Sequence, residues 1–169
     1  MATFIILFLV TAERLAELVY ARRNTQRLIA RGGREIAPGH YPFIVVIHAA
    51  WLGGLWLLAW GEQPDWSWLM LFLVLQVARL WVLGTLGRRW TMRIIIVPGE
   101  TLVRSGPYRF MAHPNYAVVA GEIAVLPLVF GLWAYALAFS VLNAFASGIR
   151  IRAENAALAK SSRLSRQAA

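Results

Sequence analysis

The residues best suited to chemistry in this sequence lie in two clusters, one near the middle of the chain and one near its C-terminal end. A His-Pro pair that opens an apolar helix leaves unpaired backbone N–H groups at the helix start, which suits an anionic ligand group. Tyrosine rings can bind a cation through their faces. The alternative is that His113 marks a helix boundary and the tyrosines anchor at a membrane interface. The clusters are Gly106-Pro107-Tyr108-Arg109 with His113-Pro114-Asn115-Tyr116, and Arg150 to Asn155.

Arg150 and Glu154 are four residues apart in the C-terminal cluster. On a helix this spacing places both side chains on one face. An arginine there could orient an acidic ligand, whereas a surface ion pair, the alternative interpretation, would stabilise the chain only slightly.

The composition limits the elements that can position these residues. Of the 169 residues, 59% are hydrophobic and none is cysteine, and the mean hydropathy is +0.58. This apolar share exceeds that of soluble domains and argues against an ordinary water-soluble enzyme. The net charge of +9 does not indicate a nucleic-acid partner, because long apolar runs separate the basic residues. Without cysteine there is no disulfide, no Cys-ligated zinc and no thiol nucleophile, and we expect no metal site.

The hydropathy pattern predicts an all-α integral membrane protein with about five transmembrane helices. We expect one domain over residues 1–160, in which the last helix has a cytoplasmic extension to about residue 160, followed by a disordered polar tail over 161–169. A short cytoplasmic hairpin or loop is expected between the third and fourth helices, with a turn at Pro98-Gly99. The predicted helices span residues 3–20, 42–60, 66–86, 115–130 and 133–149.

The distribution of basic residues predicts the orientation in the membrane. Fifteen of the 17 basic residues fall into two loops and the C-terminal segment, which would all lie on one side. Because positively charged loops stay in the cytoplasm, we expect the N-terminus outside and the C-terminus in the cytoplasm. The fifteen are Arg22, Arg23, Arg27, Arg31, Arg34, Arg88, Arg89, Arg93, Arg104, Arg109, Arg150, Arg152, Lys160, Arg163 and Arg166.

Five charged residues lie inside the predicted spans, all in the halves nearest the cytoplasm. Each could extend to the lipid headgroups or pair locally. Taken together, they indicate a polar pocket open to the cytoplasm. They are Glu13, Arg14, Glu17, Arg79 and Glu122.

The two clusters together resemble the signature of the isoprenylcysteine carboxyl methyltransferase family. The N-terminal part, with Ala12-Glu13-Arg14-Leu15-Ala16-Glu17-Leu18, Arg23-Asn24 and His40-Tyr41-Pro42, is similar to the bacterial branch in particular. The resemblance covers most of the chain and is strongest from Leu86 to Leu158. It implies an integral membrane enzyme, in the bacterial inner membrane, that uses S-adenosylmethionine at a site facing the cytoplasm.

The resemblance also implies roles for individual residues. Arg150, Glu154 and Arg109 would form the catalytic set, and the two arginines would hold the acidic group of the acceptor. The chain departs from the family pattern at Ala112, where arginine is common, and at Asn155, where a second glutamate is common. The residues implied to bind S-adenosylmethionine are Gly106, Pro107, Tyr108, His113, Pro114, Asn115, Tyr116, Glu154 and Asn155.

The expected function is therefore S-adenosylmethionine-dependent O-methylation of a lipophilic acceptor at the cytoplasmic membrane interface. The implied acceptor group is a carboxylate, such as that of an isoprenylcysteine, on a prenylated or lipophilic small molecule. Methyl transfer from a sulfonium depends mainly on positioning, and a carboxylate acceptor needs no base, whereas a phenol or enol does. The alternatives are an NADPH-dependent membrane reductase, a phospholipid N-methyltransferase-like enzyme and a non-enzymatic membrane protein. The expected partners are the lipid bilayer and the acceptor, without nucleic acid.

Overall fold

The computed structural model describes the backbone of residues 1–167 and the side chains of residues 1–39 and 41–158. Residues 1–167 contain five α-helices, one for each segment that the hydropathy pattern predicts, so the all-helical expectation is confirmed. The helices are α1 (Ala2–Ala30), α2 (Tyr41–Leu58), α3 (Trp66–Leu86), α4 (Pro114–Val129) and α5 (Trp133–Gln167).

Two helices are longer than predicted. Helix α1 continues ten residues beyond the expected end at residue 20, and it ends just before Gly32, whose φ is 85°. No glycine or proline interrupts residues 21–30, and extending an existing helix through arginine, alanine and leucine costs little free energy. For the same reason α5 reaches Gln167, so the helix continues through residues 161–167, where the sequence predicts a disordered tail. Residues 168–169 lie outside the described part.

Three of the helices are long and apolar enough to cross a membrane. They are α2, α3 together with the turn to Arg89, and α5 over residues Trp133–Leu158, with mean hydropathies of 1.7, 2.0 and 1.3. Helix α4 is apolar but has only 16 residues, and α1 carries Glu13, Arg14 and Glu17 within its apolar part. Five spans and the orientation of the termini therefore stay predictions.

The two basic loops are joined by a small antiparallel sheet. Strand β1 (Arg34–Glu35) pairs with β2 (Ile95–Ile96), with Arg34 opposite Ile96 and Glu35 opposite Ile95. The expected hairpin around Pro98-Gly99 is therefore wrong, because β2 pairs with β1 and not with the residues after this turn. Gly99 does form a turn, with φ of 79°. Gly33 permits the close approach, because a Cβ there would lie 2.9 Å from Ile95 Cγ2.

Ion pairs reinforce the contact between these loops. Arg93 donates to both carboxylate oxygens of Glu35, at 2.8 and 2.9 Å, and Glu100 pairs with Arg31 and Arg89. In addition, the fully buried Asn24 donates from Nδ2 to the carbonyl oxygens of Gly87 and Trp90. The loops that follow α1 and α3 consequently lie at the same end of the helix bundle.

The apolar core occupies the half of the bundle away from these loops. Its members come from the early parts of α1 and α3 and the late parts of α2 and α4: Leu7, Val10, Trp51, Leu55, Leu69, Phe72, Ile123, Leu126 and Val129. Small residues bring the helices close. A Cβ at Gly121 would lie 2.9 Å from Leu75 Cδ2, and one at Gly54 would clash with the Tyr135 ring. Large apolar side chains such as Phe8, Val77 and Leu137 are exposed on the outer surface, as expected where helices face lipid.

Candidate active site

The start of α4 and the extension of α5 bring five of the predicted site residues into contact. The Tyr116 hydroxyl donates a hydrogen bond of 2.7 Å to Glu154 Oε2. His113 Nε2 lies 3.1 Å from Asn155 Oδ1, and the His113 ring packs edge-on against Tyr116 with centroids 5.4 Å apart. The Arg150 guanidinium lies over the Tyr116 ring, 5.5 Å from its centroid. Residues that are about 40 positions apart in sequence thus form one cluster.

Local sequence explains how each helix presents these side chains. His113 is the N-cap of α4 and Pro114 occupies the first turn, where a missing N–H costs no hydrogen bond. On α5 the helix continues beyond residue 149 without a break, so Arg150 and Glu154 lie one turn apart on the same face.

The turn over Gly106–Arg109 places Tyr108 beside this cluster. Gly106 has φ of 56°, and a Cβ there would clash with Thr85 Oγ1, so the turn packs tightly against the end of α3. Burial, with a smaller contribution from the Glu154 carboxylate, raises the pKa of Tyr108 to about 12. The Tyr108 hydroxyl is therefore protonated at neutral pH and can donate a hydrogen bond.

Arg109 ends the turn that carries Tyr108, but its side chain does not join the cluster. The side chain is exposed, and within the described residues it forms no ion pair with Glu154 or any other carboxylate. It also does not line the cavity beside the cluster. Its expected role in holding an acidic group stays a prediction.

A cavity of about 290 Å³ adjoins the cluster and extends between α1, α2 and α4. Tyr116, Arg150 and Asn115 form part of its wall, and most of the remaining lining is apolar, including Leu15, Val45, Ala49, Leu52 and Ile123. Among the described residues, two buried polar atoms at the cluster end have no hydrogen-bond partner, Asn115 Oδ1 and Arg150 Nε. Buried polar atoms normally have partners, so these two atoms are candidate contacts for the polar part of a ligand.

The charged residues inside the predicted spans form a buried network on the wall of the same cavity. Arg79 donates to both carboxylate oxygens of Glu17 and, at 2.7 Å, to Glu122 Oε2. Arg14 lies 3.1 Å from Glu17 and 3.0 Å from Glu122, and Glu13 is at 3.8 Å from Arg79. Arg79 is only 4% exposed, so it does not extend to the headgroups. These charges therefore form a polar section, built by α1, α3 and α4, in the wall of a mostly apolar cavity. That the pocket opens to the cytoplasm stays a prediction.

The sequence did not indicate the roles of two residues, His48 in the cavity and Asn24 in holding a loop. His48 lines the cavity from α2, and Asn24 joins α1 to the loop after α3. For His48 the available signal was a strongly polar side chain in an otherwise apolar helix. For Asn24 no pattern in a single sequence distinguishes a buried amide from an exposed one.

Comparisons with known proteins identify the family. The family model described as isoprenylcysteine carboxyl methyltransferase (ICMT) family matches residues 68–160, which include nearly all of α3, the whole of α4 and both clusters. The chain is also 38% identical over 160 residues to an uncharacterized protein of Bacillus subtilis (strain 168), YpbQ, with 92% of this chain and 95% of that protein covered. No solved structure matches the chain. On the family match, which covers more than half of its residues, the chain belongs to the isoprenylcysteine carboxyl methyltransferase family.

Proposed function

We propose that this protein is an integral membrane methyltransferase that transfers a methyl group from S-adenosylmethionine to an oxygen of a lipophilic acceptor. The single observation that carries the proposal is the cluster of His113, Tyr116, Arg150, Glu154 and Asn155 at the mouth of an apolar cavity. Membership of the family implies that the reaction is a methyl transfer. The identity of the donor as S-adenosylmethionine and the lipophilic nature of the acceptor are parts of the proposal.

The residues of the cluster fit the methyl donor chemically. S-adenosylmethionine supplies an electrophilic methyl group on a cationic sulfonium. Tyr108 and Tyr116 can present ring faces to a cation, and the Glu154 carboxylate can accept from an ammonium or ribose hydroxyl group. Asn155 and the unpartnered Asn115 Oδ1 provide further hydrogen-bonding groups. His113, as the N-cap of α4, borders free backbone N–H groups that suit a carboxylate.

The cavity fits a lipophilic acceptor. Its walls are mostly apolar, and Arg150 stands where the cavity meets the cluster. A carboxylate is the acceptor group that the resemblance implies. It is already ionised at neutral pH, so Arg150 would need only to orient it next to the methyl group. Catalysis would then come mainly from positioning inside a site that excludes water.

The membrane arrangement follows from the basic loops. We propose five spans, with the N-terminus outside and the site facing the cytoplasm, in a bacterial inner membrane. The supporting observation is that the loops after α1 and α3 pair through β1 and β2 at one end of the bundle, and that end carries the site. The donor would enter from the cytoplasm and the acceptor from the bilayer.

Ligand binding to the full chain in detergent tests the proposal. Calorimetric titrations with S-adenosylmethionine and its demethylated product should give dissociation constants in the micromolar range, and NADPH should not bind. If neither methyl-donor ligand binds while the protein is folded, the methyltransferase proposal fails. If NADPH binds instead, the reductase alternative replaces it. Incubating membranes with labelled donor and identifying the labelled lipid would then name the acceptor.

A further inference from the structure

One titratable side chain in the cavity has no role in the function proposed above. His48 lies in α2, is partly buried, and lines the cavity together with Tyr116 and Arg150. A polar ring within an apolar helix costs free energy unless its nitrogen atoms have partners. Its hydrogen bonding therefore decides which chemistry it can perform.

The hydrogen bond of His48 determines its tautomer. Nδ1 lies 2.9 Å from the carbonyl oxygen of Ile44, one turn earlier on the same helix. A carbonyl oxygen only accepts, so Nδ1 must carry the hydrogen atom. In the neutral ring Nε2 then has a free lone pair, and no side chain among the described residues donates to it. His48 thus offers the cavity a basic nitrogen.

The other candidate bases near the cavity are already engaged. Glu17 and Glu122 accept hydrogen bonds from Arg79, and Glu154 accepts from Tyr116 and does not line the cavity. Three arginines line the same cavity, and Arg14 and Arg79 among them are paired with Glu17 and Glu122. Arg150 has no carboxylate partner among the described residues and could pair with an oxyanion formed there. The described lining therefore offers His48 as a base and Arg150 as a cation that are not already paired.

We propose that His48 is a general base and that the acceptors of this enzyme include lipophilic molecules with an acidic hydroxyl group, a phenol or an enol. The inference rests on the proposed function, because it concerns the acceptor of the same methyl transfer. A carboxylate is ionised before it binds and needs no base, whereas a hydroxyl must lose its proton as its oxygen attacks. A base in the acceptor cavity therefore serves the hydroxyl class.

The step balances in atoms and electrons. Nε2 of His48 takes the proton of the acceptor hydroxyl while an electron pair of that oxygen forms the bond to the methyl carbon. The carbon–sulfur bond of the donor breaks, and its electron pair stays on sulfur, which becomes a neutral thioether. The imidazolium then passes the proton to water. The products are the methyl ether and the demethylated donor.

Two acceptors that share one alkyl chain test the inference, one ending in a phenol and the other in a carboxylate. The full chain in detergent should methylate both. His48→Gln keeps a polar side chain without a basic nitrogen, so we expect the rate with the phenol to fall by about 100-fold or more. The rate with the carboxylate should change by less than about threefold, since that group needs no base. Retained binding of S-adenosylmethionine verifies that the variant is folded.

The pH profile of the wild type gives a test that needs no variant. The rate with the phenol, divided by the rate with the carboxylate, should fall toward acidic pH as His48 becomes protonated. In His48→Gln this ratio should instead follow the ionisation of the phenol alone. A ratio in the wild type that also follows only the ionisation of the phenol would overturn the inference.

A binding measurement provides a readout that does not depend on turnover. An alkyl nitrophenol, whose phenolate absorbs visible light, is added to the protein together with the demethylated donor. The wild type should increase the phenolate absorbance more than His48→Gln does. Equal absorbance in both proteins would overturn the inference. In the activity test, an equal loss of rate with both acceptors in His48→Gln would also overturn it, and so would a wild type that does not methylate the phenol. Failure to bind S-adenosylmethionine would instead contradict the proposed function.

Discussion

At the scale of single residues, Glu154 and Arg150 have separable roles. Glu154 accepts from Tyr116 and lies beside His113, whereas Arg150 faces the cavity with an unpartnered Nε. We therefore expect Glu154→Gln or His113→Ala to weaken binding of S-adenosylmethionine at least about tenfold, which corresponds to about 1.4 kcal/mol. Arg150→Ala should bind the donor nearly as the wild type does but lose turnover.

Calorimetry and a methyl-transfer assay on the same preparations separate these outcomes. Arg104→Ala is a suitable control, because this arginine is exposed in the loop after β2 and is not part of the cluster. Equivalent loss of donor binding in all three site variants would contradict the division of roles.

Tyr108 gives a residue-scale prediction about pH. Burial, and to a smaller extent Glu154, raises its pKa from 10.0 to about 12. An acid whose pKa is raised by folding does not change the stability at pH values below its pKa in the unfolded chain. Between pH 10 and about 12 the unfolded chain ionises while the folded chain does not, so stability falls. Across this pH window Tyr108→Phe should lose less stability than the wild type does. Thermal unfolding in detergent, at one pH below the window and one above it, measures both losses. Equal losses in both proteins would show that another group dominates alkaline unfolding.

At the scale of elements, the buried charge network holds α1, α3 and α4 together around the cavity. Two arginines and two buried glutamates balance in charge: Arg14, Arg79, Glu17 and Glu122. Removing one member leaves a buried charge without its partner, which costs about 3–5 kcal/mol. Arg79→Met should therefore lower the unfolding temperature substantially.

A double variant tests whether charge balance is the cause. Arg79→Met combined with Glu17→Gln leaves Arg14 paired with Glu122 at 3.0 Å. We expect this double variant to recover a large part of the stability lost in Arg79→Met, and the exposed Arg104→Met to have no effect. If the double variant is less stable than the single one, the packing of these side chains matters more than their charges.

The elements also show which parts of the structure a single sequence can predict. The predicted starts of α3 and α5 agree with the structure because local signals mark them. Asp65, for example, accepts hydrogen bonds from the Ser67 and Trp68 backbone N–H groups. The pairing of β1 with β2 was missed, because Arg34–Glu35 is too short for a detectable alternation and its partner is 60 residues away. The type of element follows from local pattern, whereas long-range pairing depends on tertiary contacts.

The same distinction applies to the candidate site. The motifs around His113 and Glu154 were recognisable, and the structure brings most of them together. The partners of Arg79 were not predictable, since hydropathy locates a buried charge without indicating which helix supplies its counterion. Likewise, the tautomer of His48 depends on one carbonyl group that only the structure identifies.

At the scale of the whole molecule, the orientation in the membrane is directly testable, because the chain has no cysteine and each introduced cysteine is unique. Gln63 is exposed in the turn between α2 and α3, and Arg104 is exposed in the segment between α3 and α4, at the other end of the bundle. With positive loops in the cytoplasm, a membrane-impermeant maleimide should label Gln63→Cys in intact cells and Arg104→Cys only after permeabilisation. The reverse pattern would place the site outside, and labelling of both cysteines in intact cells would contradict a span by α3.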